Sequence, residues 1–158
     1  MGKVVSQEEI ILVREQLRGE KKKVVFTNGC FDILHRGHVE YLSRAKAIGD
    51  VLVVGVNTDV SVRRIKGEKR PIVSEDDRAA LLAALAVVDF VVLFTEMTPL
   101  HLIEKIIPDI LVKGADWDIE NVVGKNIVEE HGGEVRTIEF IPNRSTTNII
   151  ERVLERYQ

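Results

Sequence analysis

Short apolar runs alternate with amphipathic stretches along this chain; each run predicts a buried strand and each stretch a helix laid over it. Ser6 with Glu9 three residues on is a capping-box start, opening a helix that ends near Gly19. Lys21-Lys22-Lys23 then lead into Val24-Val25-Phe26-Thr27, a β-rich run that predicts the first strand. After a loop from Asn28 to Arg36, Val39, Leu42, Ala45 and Ile48 form a helical stripe that Gly49 terminates. Val51 to Val56 is the second strand. Ser74 with Asp77 opens a helix carrying Leu81, Leu82 and Leu85, and Phe90 to Phe94 reads as the third strand. Thr98-Pro99 predicts a helix start, Pro108 its end, and Ile110 to Val112 a fourth strand. A further helix stops at Gly132-Gly133 and releases the strand Val135 to Ile138. The last helix begins near Ser145 and sets Ile149, Ile150, Val153, Leu154 and Tyr157 on one face.

Strand and helix thus alternate about five times, and the Val/Ile/Leu runs lack the polar alternation of half-exposed strands. The pattern predicts a single α/β domain over residues 1–158, with an N-terminal helix in 1–20 and a Rossmann-like, doubly wound, five-stranded parallel sheet in 21–158. Ligands of such sheets bind beyond the carboxyl ends of the strands, where the winding direction reverses. A chain of 158 residues leaves no room for a second full domain. Its net charge of -3 gives no broad attraction to nucleic acid or anionic lipid, so neither is an expected partner. One cysteine, Cys30, excludes an intramolecular disulfide, and no basic-then-apolar leader or long apolar span is present. A cytoplasmic protein is expected.

Directly after the first strand stands Thr27-Asn28-Gly29-Cys30-Phe31-Asp32-Ile33-Leu34-His35-Arg36-Gly37-His38, with the second histidine at a helix start. A strand running through a glycine loop into a helix offers free N–H groups and a positive dipole end, which suits phosphate before any side chain is counted. Gly37 lets a triphosphate approach the backbone, and His35 and His38 can donate to oxygens that gain charge as an α-phosphorus is attacked. In isolation His-x-Gly-His is as readily a pair of surface histidines; its place after the strand is what argues for chemistry. No third ligand stands at metal spacing, and Asp32 is either a ligand or a turn residue bonded to its own backbone.

A second helix start, Asn143-Arg144-Ser145-Thr146-Thr147-Asn148, gathers hydroxyls and N–H groups into another anion cradle, although Ser145 alone would be a routine N-cap. The segment Asn57 to Arg70, at the end of the second strand, holds five cations in fourteen residues of an acidic chain. It is either a solvated charged loop or a phosphate-binding segment, with Lys66 the leading candidate to bridge phosphates. Lys113-Gly114-Ala115-Asp116-Trp117, at the end of the fourth strand, offers backbone groups and Asp116 to a nucleoside, with Trp117 packing or stacking.

These motifs resemble the His-x-Gly-His nucleotidyltransferase superfamily over nearly the whole chain, and within it the branch of adenylyltransferases that form ADP-heptose. The segments at 27–38 and 145–150 carry the superfamily resemblance; Val56 to Val62, Lys66-Gly67 with Arg70-Pro71, and Pro108 to Asp116 carry the heptose branch. The resemblance implies that AMP passes from ATP to heptose 1-phosphate without a covalent enzyme intermediate, with Mg²⁺ carried on the triphosphate. It implies catalytic roles for His35, His38 and Lys66, and nucleotide contacts from Asn28, Gly29, Cys30, Phe31, Gly37, Lys113, Gly114, Asp116, Arg144, Ser145, Thr146 and Thr147. Asn57, Asp59, Arg63, Arg64 and Arg78 are the candidates for gripping the acceptor. It further implies a homodimer, and a stand-alone transferase served by a separate sugar kinase. Cytidylyltransferases of the superfamily carry Arg-Thr-Glu-Gly-Ile where this chain has Phe140 to Arg144, which weakens a CTP reading. Glycerol-phosphate cytidylyltransferase and FMN adenylyltransferase are the nearest alternatives, and a non-catalytic nucleotide-binding module the alternative from another class.

Overall fold

The computed structural model describes residues 1–139 and 145–157. Its strands are β1 (Lys3–Val5), β2 (Val24–Gly29), β3 (Val51–Asn57), β4 (Phe90–Phe94), β5 (Ile110–Gly114) and β6 (Glu134–Ile138), joined in one sheet of order β1-β4-β3-β2-β5-β6. Every neighbouring pair is parallel. The helices are α1 (Gln7–Gly19), α2 (Arg36–Lys46), α3 (Asp59–Lys66), α4 (Glu75–Ala84), α5 (Leu100–Ile106), α6 (Lys125–Glu130) and α7 (Thr146–Tyr157), with a 3₁₀ turn at Ile119–Asn121. None of them is long and apolar enough to cross a membrane.

Because successive strand side chains point to opposite faces, each inner strand feeds two cores. Val25, Leu52, Val54 and Val91 face Leu42 and Ala45 of α2 and Ala79 and Leu82 of α4. Val24, Phe26, Val53 and Val92 face Ile10 of α1, Leu102, Ile103 and Ile106 of α5, and Val128 of α6. The apolar runs are continuous because both faces are covered, which is the doubly wound arrangement the sequence predicts.

The sheet has six strands rather than the five expected. The extra one, β1, is a three-residue edge strand whose Lys3 and Val4 are exposed, so it carries almost no apolar signal. It is held by register with β4 and by Gly2, whose N–H donates to Ala83 O at 2.8 Å and where a Cβ would stand 2.4 Å from Val88 O. The basic segment after β3 is not a loop but contains α3, capped by Thr58, whose hydroxyl accepts from Ser61 N. Gly49 does not stop α2, which ends at Lys46 with Ala47 as its cap. It instead lets the chain enter β3 closely, since a Cβ there would meet Val25 Cγ2 at 2.4 Å. At α5 the cap is Pro99 rather than Thr98.

The predicted capping box is present: Ser6 Oγ accepts from Glu9 N at 3.1 Å, and Ser6 N donates to Glu9 Oε2 at 2.7 Å. One turn further along α1, Arg14 is 5% exposed and donates to Ile106 O, Ile107 O and Asp109 Oδ1. Ile107 has φ 44°, a left-handed conformation that a β-branched residue resists. Asp109 in turn accepts from Val24 N at 2.7 Å through its other oxygen. Arg14 therefore fixes the turn between α5 and β5 and, through Asp109, the start of β2. Replacing it by Met leaves a carboxylate and two carbonyls without their donor. We expect Arg14→Met to cost about 3 kcal/mol, read as a lower urea midpoint with an unchanged slope.

Candidate active site

At the end of β2 the chain turns sharply. Phe31 has φ 49° and folds its ring back, buried, against Gly29, where a Cβ would stand 3.1 Å from that ring. The ring meets His38 edge-on, with centroids 5.2 Å apart and planes at 63°. His35 sits at the N-cap of α2 in extended backbone, and His38 N donates to His35 O at 2.9 Å, closing the first turn. The two imidazoles stack at 3.8 Å, 19° from parallel.

Stacking and burial fix the charge of His38. Removal from water, and secondarily the neighbouring His35, pull its pKa down to about 4, so it is neutral at physiological pH. Its Nδ1 is buried without a hydrogen-bond partner among the described residues. A neutral ring offers one N–H donor rather than a fixed positive charge.

His38 lines a cleft of about 480 Å³ that opens over the carboxyl ends of the central strands. Asn28 and Gly29 of β2, Asn57 of β3, and Lys113 and Gly114 of β5 form its floor. Thr146 and Thr147, at the start of α7, line the same cleft. Thr146 Oγ1 donates to Ile33 O at 3.4 Å, and Ser145 Oγ accepts from Asn148 N, the hydrogen bond of an N-cap. The two helix starts singled out in the sequence therefore face one space. Cys30, Phe31 and Lys66, at the end of α3, complete the part of the wall that the sequence anticipated.

Lys113 is almost fully buried, donates to Asn28 Oδ1, and holds its Nζ 5.6 Å from the centre of the Trp117 ring. Burial pulls its pKa down to about 8, with Asp116 opposing. Cys30 lies between the cationic groups: burial raises its thiol pKa, while Lys66, Arg78 and Arg70 pull the other way. A thiol so held stays protonated and is a poor nucleophile.

Other expected residues lie elsewhere. His35 and Gly37 stand outside the cleft lining, as do Asp116, Ser145, Arg63 and Arg64. Arg144 is outside the described residues. Arg78, expected to grip the acceptor, is wholly buried. Its guanidinium donates to Cys30 O at 2.6 Å, Val73 O at 2.9 Å and Asp59 Oδ1 at 2.8 Å. Through these bonds Arg78 and Asp59 hold the Cys30 loop against α3 and α4. Asp32 bonds across to the segment before α4 rather than to its own turn: buried, it accepts from Ile72 N at 2.7 Å, Val73 N at 2.9 Å and Arg70 Nε.

Tyr41, Arg70, Thr98 and Trp117 also line the cleft. Tyr41 follows His38 by three positions on α2, a spacing that marks the same helix face, and its hydroxyl meets Thr27 Oγ1 at 2.8 Å. That spacing was the signal available for it. Arg70 stood within the basic segment but had nothing local to distinguish it.

Residues 26–152 match the family model described as cytidylyltransferase-like. The bifunctional protein HldE of Citrifermentans bemidjiense is 60% identical over 146 residues, which is 92% of this chain and 30% of that protein. The corresponding protein of Syntrophotalea carbinolica is 55% identical over 99% of this chain and 32% of its own length. The chain thus spans about a third of the curated relatives it matches. Among solved structures, the lipopolysaccharide core biosynthesis protein from Thermoplasma volcanium superposes with a TM-score of 0.62 at 34% identity, covering 76% of this chain and 97% of that one.

The depressed pKa of His38 has a consequence for stability. An unfolded chain takes up a proton on this ring near the ordinary value of 6.5, whereas the folded one refuses it until about 4. Stability should therefore fall as pH drops from 6.5 to 4, and be constant above that window as far as this residue is concerned. His38→Asn should flatten the slope of unfolding free energy against pH across that interval, measured by urea titration. A slope unchanged by the substitution would show that the ring titrates normally.

Proposed function

The chain belongs to the cytidylyltransferase-like family, and from that premise we propose that it transfers AMP from ATP to a sugar 1-phosphate, heptose 1-phosphate, with release of pyrophosphate. The observation that carries the reading is the convergence of the α2 and α7 starts, with His38, Thr146 and Thr147, on one cleft over the strand ends. Helix N-termini and hydroxyls in that arrangement form a cradle for a polyphosphate. The choice of acceptor rests on the similarity to the HldE proteins and to a lipopolysaccharide core biosynthesis protein.

In this reading Asn28, Gly29, Cys30, Phe31 and Gly114 frame the nucleoside, while Ser145 caps the helix that presents Thr146 and Thr147 to the phosphates. An oxygen of the acceptor phosphate forms the new bond to the α-phosphorus; the bond from that phosphorus to the bridging oxygen breaks, and pyrophosphate leaves with the electron pair. A phosphate monoester has its second pKa near ~6, so the attacking oxygen needs no base. The protein supplies alignment and charge compensation. Neutral His38 donates its N–H toward the α-phosphoryl oxygens, and the approach of a polyanion favours its protonated form, so its donor strengthens as negative charge builds. His35 buttresses the ring by stacking. Lys66, exposed on the last turn of α3, reaches the phosphates as a mobile charge.

Mg²⁺ would enter as part of the triphosphate. Among the described residues no three His, Cys, Asp or Glu side chains come together as a ligand set, so no step is routed through a protein-held ion. A kinase acting on the sugar must supply the acceptor. The reading extends to a cytoplasmic homodimer.

Pyrophosphate release with ATP or CTP against a panel of phosphorylated acceptors tests the proposal. ATP with heptose 1-phosphate should give the highest kcat/KM; preference for CTP with glycerol phosphate would replace it with the cytidylyltransferase reading. His38→Ala should lower kcat by about 10²- to 10³-fold while changing the KM for ATP only a few-fold. An unchanged kcat would remove His38 from the transition state.

A further inference from the structure

Among the described residues, the arginines expected to grip the acceptor do not line the cleft: Arg78 is buried in protein contacts, and Arg63 and Arg64 lie outside the lining. We propose that Arg70, oriented by the buried carboxylate of Asp32, grips the acceptor's phosphate; the proposal rests on the reading above.

Arg70 lines the cleft with its side chain 19% exposed, whereas that of Asp32 is 1% exposed. Their contact uses only Nε of the guanidinium. The two terminal amino groups of Arg70 make no hydrogen bond with the described residues, so the Nε edge of the planar group is the one anchored. The anchor itself is fixed twice more, because Asp32 Oδ1 accepts from Ile72 N and Val73 N. Arg70 N donates to Gly67 O at 3.0 Å across a turn in which Gly67 has φ 94°, and this turn brings the side chain back to the cleft beside Lys66.

Among the described residues, Lys66, Arg70 and Lys113 bring three cationic side chains to the cleft lining, against the one carboxylate of Asp32. Lys113 is engaged with Asn28. The helix starts of α2 and α7 suit the triphosphate, with Lys66 as its mobile counter-charge. Arg70 arrives from a different wall, the connection between α3 and α4, and carries the group suited to a monoester. A planar guanidinium binds phosphate oxygens in a bidentate manner, fixing direction as well as distance. It also remains protonated without giving its proton away, so it can hold a dianion without quenching the oxygen that must attack. Asp32 acts through Arg70 and is a positioning residue.

Initial rates with ATP and heptose 1-phosphate, together with calorimetric ATP binding in the absence of acceptor, separate the two ligands. Arg70→Met should raise the acceptor KM by about 30-fold and leave the Kd for ATP within about twofold. Arg70→Lys keeps the charge but loses the fork, and should fall between Met and wild type. Asp32→Asn retains an oxygen for Ile72 and Val73 but removes the carboxylate, and should raise the acceptor KM by about tenfold with ATP binding intact. If Arg70→Met fails to fold, as judged by circular dichroism, Arg70→Lys and Asp32→Asn carry the test. Wild-type turnover with an acceptor KM indifferent to these variants would overturn the assignment of Arg70 alone, as would a loss of ATP affinity equal to the loss of acceptor affinity. A wild-type protein that releases no pyrophosphate with any phosphorylated sugar would overturn the transferase reading and this assignment together.

Discussion

The placement of β2 between β3 and β5 governs everything else in the molecule. The chain leaves β2 toward α2 and β3 on one side, and returns much later through α5 to β5 on the other. The cleft lies over the carboxyl ends of β2, β3 and β5, walled by the connections that leave them. Both sheet faces are meanwhile sealed by apolar packing, Phe26 and Val53 on one side and Val25 and Val54 on the other. The rim is therefore the place where polar side chains can gather without burial inside a core, as in open parallel sheets generally.

Around that rim, buried ion pairs hold the loops in place. Arg78 ties the Cys30 loop to α3 through Asp59, and Asp32 ties the same loop to the segment leading into α4. Such pairs add little net stability, but breaking one leaves an uncompensated buried charge, so they constrain the loop to one arrangement. The stacked imidazoles stand on this support. Their environment keeps His38 neutral, so that its charge can respond to the approach of a polyanion. In the proposed reaction the protein makes no covalent bond; its contribution is a set of donors already in position.

Much of this arrangement was legible from residue order. Val, Ile and Leu runs marked the inner strands because burial on both faces removes polar alternation, and helix starts after strands marked His38, Thr146 and Thr147 as a possible cradle. What escaped did so for physical reasons. Strand β1 buries only part of one side chain, and α3 buries just Ser61 and Val62, leaving Val60 and Ile65 exposed, so neither has an apolar stripe. The Asp32–Arg70 pair spans 38 positions, a separation at which no local pattern operates. The burial of Arg78 goes against its charge, but it precedes Leu82 by four positions and so shares the buried stripe of α4.

The central claim is that the starts of α2 and α7 address one polyphosphate. A crystal structure with a non-hydrolysable ATP analogue tests it most directly. The account predicts phosphate oxygens within hydrogen-bond reach of His38 and of the Thr146–Thr147 helix start in the same complex. Phosphates bound at one of these helix starts and pointing away from the other, or lying outside the cleft, would contradict it.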